Sequence, residues 1–137
     1  MTKAESKVID FIKKHILLFL LVAVTIIAIF LRVCGMDFQS DDFNSFLNSW
    51  WSIIKLNDFT GLATQVGNYN IPYQVIIYLM TLLPLNALYA YKIVSIIFDF
   101  VLAISTAMLV YSFVKNNRRL KAILTYSAVL LSATVIF

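Results

Sequence analysis

The run ILLFLLVAVTIIAIFL, from Ile16 to Leu31, decides the fold class because it contains no charged residue. Residues 32–36 can extend it, and a membrane-spanning helix needs about 20 mostly apolar residues. A cleaved signal peptide has a shorter apolar core, of about 7–15 residues, and ends at small residues. The residues that follow here, Arg32-Val33-Cys34, do not fit such a cleavage site. The sequence therefore predicts an uncleaved first transmembrane helix over residues 16–36.

The composition of the whole chain predicts the same class. Of its 137 residues, 61% are hydrophobic and 13% are charged, and the mean hydropathy is +0.88. A soluble domain carries about 25% charged residues, so this chain has too little polar surface to face water. We expect an all-α integral membrane protein, multi-pass in the cell membrane. Its net charge of +4 indicates contact with anionic membrane lipids rather than with nucleic acid.

About four apolar helical segments follow from the hydropathy pattern, and the lysine-rich residues 1–15 precede the first of them. Lysines on that side of a first span hold the N-terminus in the cytoplasm, so residues 37–70 form an external loop. Three further apolar segments cover residues 71–84, 87–114 and 122–137. The last has no polar tail, so we expect the chain to be the N-terminal piece of a longer protein that packs with other membrane helices.

The basic turn over residues 115–121 makes the topology ambiguous. Four complete spans would place this turn outside, against the tendency of positive loops to remain inside. If residues 71–83 only dip into the outer leaflet, the turn lies inside. Those 13 or so residues reach about 20 Å as a helix, whereas the hydrocarbon core is about 30 Å thick. Both arrangements remain open at this level.

The external loop contains an amphipathic stretch that begins after Ser40. Its apolar residues recur at helical spacing, so they predict one face of a short helix lying on the membrane surface. We expect Ser40 or Asp41 to be the N-cap. The alternative is a connector that is only seated on the membrane. The predicted apolar face consists of Phe43, Phe46, Leu47, Trp50 and Ile54, and the opposite face of Asn44, Ser45, Asn48, Ser49 and Ser52.

Two charged residues interrupt the third apolar segment. Lys92 and Asp99 are seven residues apart, so they lie about two turns apart on one helix face. Charged residues inside spans usually face the bundle interior. Either each charge is neutralised by a neighbour or extends to the membrane interface, or Lys92 helps to hold a lipid phosphate; the sequence favours neither reading.

Several kinds of chemistry are excluded by residue types. One cysteine, Cys34, and one histidine, His15, cannot form a zinc site or a Ser-His-Asp arrangement. Asp41 and Asp42 are adjacent, so their side chains diverge and make a poor metal clamp. We therefore expect no metal and no cofactor.

An ordered set of motifs resembles the N-terminal part of one enzyme family. These motifs are Asp42-Phe43-x-x-Phe46-Leu47-x-x-Trp50, then Gly61-Leu62, then Gly67-Asn68-Tyr69-Asn70-Ile71-Pro72-Tyr73, and finally the stretch from Leu83-Pro84-Leu85 through Tyr89 and Lys92 to Asp99-Phe100. The set is similar to GT-C membrane glycosyltransferases that use polyprenyl-phosphate sugars. Among them it is most similar to bacterial relatives of the GPI-anchor second mannosyltransferase. The resemblance covers residues from about 10 to 137.

The resemblance implies that an aspartate of the first external loop is the catalytic base, and Asp42 holds that position. It also implies a substrate-binding region, to which we assign Asp41, Asn68, Tyr69, Tyr73 and Lys92.

The expected function is transfer of a hexose, such as mannose, from a polyprenyl-phosphate donor to an acceptor hydroxyl at the external membrane face. A carboxylate can take the proton of that hydroxyl, and the start of a helix favours its negative charge. The alternative is a small non-catalytic membrane protein, or an inactive fragment, that packs with other spans.

Overall fold

The computed structural model describes residues 3–63, 66 and 71–132, and all the regular secondary structure in this part is helical, without a β-strand. The all-helical prediction is therefore confirmed. The elements are α1 (Lys3–Cys34), a π-helical turn (Phe43–Leu47), α2 (Asn48–Asn57), a 3-10 turn (Asp58–Ala63), α3 (Ile71–Thr81), α4 (Ala87–Phe113) and α5 (Arg118–Leu130).

Two helices of the described part are long and apolar enough to cross a membrane. They are the Lys14–Cys34 portion of α1 and the whole of α4, Ala87–Phe113. α1 extends further toward the N-terminus than the apolar run, because its lysine-rich first turns contain neither proline nor glycine. α3 has 11 residues, which reach about 16 Å and so fall short of a bilayer core of about 30 Å.

The chain forms two compact units. The first unit comprises residues 1–35 and 97–137, and the second comprises residues 36–96. The core of the first unit contains two alanines with no exposed surface, Ala28 on α1 and Ala103 on α4. Small residues at such positions allow helix backbones to approach closely. The hydroxyls of Thr25 and Tyr126 are 3.0 Å apart and join α1 to α5.

Arg32 joins all three helices of the first unit. Its side chain is buried, and its guanidinium donates to the carbonyls of Ala28 at 3.1 Å and Leu130 at 3.2 Å. It also pairs with the Asp99 carboxylate, with Nε 3.3 Å from Oδ2, and lies over the Phe100 ring. Asp99 is thus neutralised by Arg32, a partner that the sequence pattern did not indicate.

The second unit is built around an aromatic and aliphatic cluster. Its members come from the loop helix, which is the helical stretch over residues 41–57 made of the π-helical turn and α2, and from α3 and the first turns of α4. The best-buried members are Ile54, Ile77 and Ala90. Gly61 is buried against Ile54, because a Cβ at this glycine would lie 3.3 Å from the Ile54 backbone. α4 then begins where Asn86 Oδ1 accepts a hydrogen bond from the Tyr89 backbone N–H.

The buried face of the loop helix includes one residue that was not predicted and leaves out one that was. Phe43 and Ile54 are buried, as expected, but Trp51 is buried as well, whereas Phe46 remains 52% exposed. The cause is the π-helical turn, in which the Asn48 N–H donates to the Phe43 carbonyl. A π turn takes in about one extra residue, so the residues after it are rotated relative to an α-helix. This rotation turns Trp51 toward the cluster.

Candidate functional site

The head of the loop helix presents two carboxylates to solvent. Helical structure runs from residue 41 to residue 57, and the Phe43 backbone N–H donates to the Ser40 hydroxyl at 3.2 Å. Ser40 is therefore the N-cap, one of the two predicted positions. Asp41 and Asp42 occupy the first turn and are both exposed. Their side chains point about 100° apart around the helix axis, because a turn has 3.6 residues.

The residue next to Asp42 anchors this helix head to the protein. The ring of Phe43 packs edge-on against Tyr91 of α4, with centroids 6.3 Å apart. The Trp51 ring lies 6.0 Å from the same tyrosine. The Tyr91 hydroxyl donates to the Leu47 carbonyl at 3.3 Å. Tyr91 thus contacts the loop helix at three positions, which holds Asp42 on a rigid element.

The segment that leads into the helix is bound to the same end of α4. The Tyr89 hydroxyl donates to the Asp37 carboxylate at 2.6 Å, and the Lys92 ammonium lies 5.7 Å from the Phe38 ring centroid. Tyr89 and Lys92 are three residues apart, so they share one helix face. Both carry a polar group at the end of a long side chain, and together they fix residues 37 and 38.

The far end of the loop helix is attached to α3. The Phe59 and Tyr78 rings meet edge-on, with centroids 6.1 Å apart. Burial raises the pKa of the Tyr78 hydroxyl, and the Asp58 carboxylate, which accepts its hydrogen bond, raises it further. The loop helix is therefore supported at both ends.

The predicted site residues fall into three groups in the structure. Asp41 and Asp42 lie on the exposed helix head, and Lys92 is half-buried against the segment that precedes this head. Tyr73 is half-buried and packs against the cluster that contains Phe43. Asn68 and Tyr69 lie outside the described residues.

Sequence reasoning missed the three residues that position the helix head: Asp37, Tyr89 and Tyr91. The signal for the two tyrosines was present in Leu88-Tyr89-Ala90-Tyr91-Lys92, since tyrosines at the start of an apolar helix carry hydroxyls that need partners when buried. No comparable signal pointed to Asp37. Which partners the tyrosines take is decided by tertiary packing.

The chemistry open to this site is that of a carboxylate. Among the described residues, no group of three His, Cys, Asp or Glu side chains is placed to hold a metal ion. An exposed carboxylate at the head of a fixed helix can accept a proton from a hydroxyl or bind a cationic or hydroxylated ligand.

Comparison with known proteins adds no relative from which a function could be transferred. No protein-family model matches the sequence, and neither a curated protein nor a solved structure matches it.

Proposed function

We propose that this chain carries the catalytic base of a membrane glycosyltransferase that transfers a hexose from a polyprenyl-phosphate donor to an acceptor hydroxyl. Asp42 is the base. The observation that carries the proposal is the exposure of Asp42 on a capped helix whose next residue, Phe43, is held by Tyr91. The motif resemblance described above supports the same assignment.

The reaction requires one proton transfer and one displacement at carbon. The Asp42 carboxylate takes the proton of the acceptor hydroxyl as the acceptor oxygen bonds to the anomeric carbon of the sugar. The bond between that carbon and the phosphate oxygen breaks, and the lipid phosphate leaves as an anion. A phosphate is a good leaving group, so the step needs a base and a cation but no general acid.

The cation assigned to the leaving phosphate is Lys92. Its ammonium lies over the Phe38 ring, in the segment that leads into the helix carrying Asp42. Tyr73 packs on the cluster beneath that helix and is assigned to the substrate together with Asp41. The roles proposed for Asn68 and Tyr69 rest on the sequence motif alone.

The protein is proposed to lie in the cell membrane with its N-terminus in the cytoplasm. Two helices have the length and hydropathy for this placement. Lys14 of α1 and Arg119 of α5 line one cavity of the first unit, so the two basic segments lie at the same end of that unit. The positive-inside tendency then assigns both to the cytoplasm. This favours the arrangement in which residues 71–83 do not cross the membrane.

The function is tested by comparing Asp42→Asn with Asp41→Asn, each expressed from the native gene. Sugar transfer is assayed in isolated membranes with a radiolabelled polyprenyl-phosphate hexose and a hydroxyl acceptor. We expect Asp42→Asn to lower the rate by roughly 100- to 10,000-fold, the usual loss for a general base, and Asp41→Asn to lower it far less. Near-normal transfer by Asp42→Asn would refute the assignment. Absence of transfer in the unmodified protein would favour a non-catalytic membrane protein.

The orientation is tested separately with a cysteine introduced at Asn48, in a background where Cys34 is replaced by serine. Asn48 is exposed on the loop helix, so a membrane-impermeant thiol reagent should label it in intact cells. Labelling only after lysis would reverse the proposed topology.

A further inference from the structure

An apolar cavity of about 470 Å³ opens between the three helices of the first unit. Its wall is formed by Leu21 of α1, Ile104 and Met108 of α4, and Ala122 and Ile123 of α5. This volume lies within the range of about 300–1,000 Å³ that is typical of ligand sites.

Three of the four hydroxyls of this wall, those of Thr25, Ser112 and Tyr126, form hydrogen bonds within the protein. The Thr25 hydroxyl donates to the Leu21 carbonyl at 2.8 Å, so at 3.0 Å from the Tyr126 hydroxyl it acts as the acceptor. The wall therefore offers few polar groups to a ligand, and its apolar side chains favour a hydrocarbon chain as the occupant.

A second cavity, of about 410 Å³, continues from the first and is basic. Lys14, His15 and Arg119 line it, while Leu21, Tyr111, Ala122 and Ile123 line both cavities. The Arg118 guanidinium adds a further positive charge at this junction, 4.7 Å from the centroid of the Tyr111 ring.

These cations are available to an anionic ligand. Lys14 and Arg119 are both exposed, and in the part of the chain that the structure describes neither forms an ion pair. Of the acidic side chains that the structure describes in this unit, Asp99 is already paired with Arg32, and Glu5 and Asp10 are exposed. Basic pockets between membrane helices on the cytoplasmic side are known to bind anionic lipid head groups.

We propose that this pair of cavities is a binding site for one anionic glycerophospholipid of the cytoplasmic leaflet. An acyl chain fills the apolar cavity, and the head-group phosphate lies between Lys14 and Arg119, with Arg118 beside it. The proposal rests on the membrane placement proposed above but not on sugar transfer. It assigns a ligand to α1, to α5 and to the part of α4 from Ile104 onward, whereas the proposed catalytic site uses Lys92 in the first turns of α4.

The charge requirement is tested by native mass spectrometry of the full chain in detergent. Phosphatidylglycerol and phosphatidylcholine with identical acyl chains are added in equal amounts. We expect phosphatidylglycerol to be retained in preference to phosphatidylcholine. Lys14→Gln and Arg119→Gln should each weaken phosphatidylglycerol binding by about fivefold, the value of one cation near an anionic lipid surface, with phosphatidylcholine binding unchanged.

The matched control is Lys115→Gln with Lys121→Gln, which removes two charges from the same basic turn but from residues that do not line either cavity. We expect this double variant to bind phosphatidylglycerol as the unmodified protein does. An equal loss in the control would overturn the proposal, because it would indicate diffuse surface attraction. Equal retention of the two lipids by the unmodified protein would overturn it as well.

The acyl-chain requirement needs its own variant. Met108 is 65% exposed, so Met108→Trp fills the mouth of the apolar cavity without disturbing the packed core, and circular dichroism verifies the helix content. We expect it to weaken phosphatidylglycerol binding by at least fivefold. Unchanged binding, or equally tight binding of glycerol phosphate, which has no chains, would overturn the lipid assignment in favour of a free phosphate. A lipid-free dimer that buries the cavity would also overturn it.

Discussion

Two aspartates of this chain lie in opposite surroundings. Asp99 is mostly enclosed in the first unit, where Arg32 neutralises it. Asp42 is exposed at the head of the loop helix in the second unit. A buried charge needs a partner within the protein, so its carboxylate is already engaged and cannot bind a ligand. An exposed charge on a rigid helix remains available to a ligand, and this difference identifies Asp42, rather than Asp99, as the candidate for chemistry.

The largest expected effect is found by measuring both the transfer rate and the free energy of unfolding for a variant of each aspartate. Asp42→Asn should lower sugar transfer by roughly 100-fold or more and leave the free energy of unfolding nearly unchanged, because its carboxylate is exposed. Asp99→Asn should destabilise the protein but leave the transfer rate per folded molecule unchanged. Rates from membranes with quantified protein, together with unfolding curves in detergent, measure both. A lower transfer rate in folded Asp99→Asn would contradict the assignment of a purely structural role to Asp99.

The next effect concerns the ion pair itself. Arg32→Met should lower the free energy of unfolding by about 3–5 kcal/mol, because it leaves the Asp99 carboxylate without its partner. The double variant Arg32→Met with Asp99→Leu should be more stable than Arg32→Met alone, since an apolar pair has no desolvation cost. Unfolding in detergent, followed by circular dichroism, checks both. A double variant no more stable than Arg32→Met would contradict this account, because it would mean that the unpaired Asp99 carboxylate is not what destabilises the single variant.

A matched pair of isoleucines tests the packing of the loop helix. Ile54 has no exposed surface, whereas its neighbour Ile53 is 39% exposed. Ile54→Ala should cost about 2–5 kcal/mol, the usual cost of a cavity in a core. Ile53→Ala should cost much less, and the same unfolding measurement compares them. Equal costs would indicate that this face of the helix is not buried as described.

The smallest effect is expected at the helix cap. Ser40→Ala removes the acceptor of the Phe43 N–H and should cost about 1 kcal/mol. Ser45→Ala is the control, because Ser45 is exposed further along the helix. The sugar-transfer rate of Ser40→Ala is measured as well. If Asp42 is the base, loosening the first turn of its helix should lower this rate. A normal rate would mean that the Ser40 cap does not help to position the catalytic base.

The sequence by itself determined the features that depend on local pattern. The uncharged run from Ile16 to Leu31 is sufficient to predict a long apolar helix, and α1 contains it. The spacing of Phe43 and Ile54 predicted a helix with a buried face, and Ser40 was one of two positions predicted for its cap. Periodicity and capping act between residues a few positions apart, so they can be recognised without knowledge of the fold.

Tertiary structure decided what depends on distant partners. Arg32 and Asp99 are 67 residues apart in the sequence, and nothing in the pattern indicated that they would pair. The burial of Trp51 depends on one π turn, and the shared cavity of Lys14 and Arg119 depends on how α1 packs with α5. Each of these contacts joins residues that are far apart in the sequence. They depend on how the helices pack, and periodicity over a few neighbouring residues does not determine that packing.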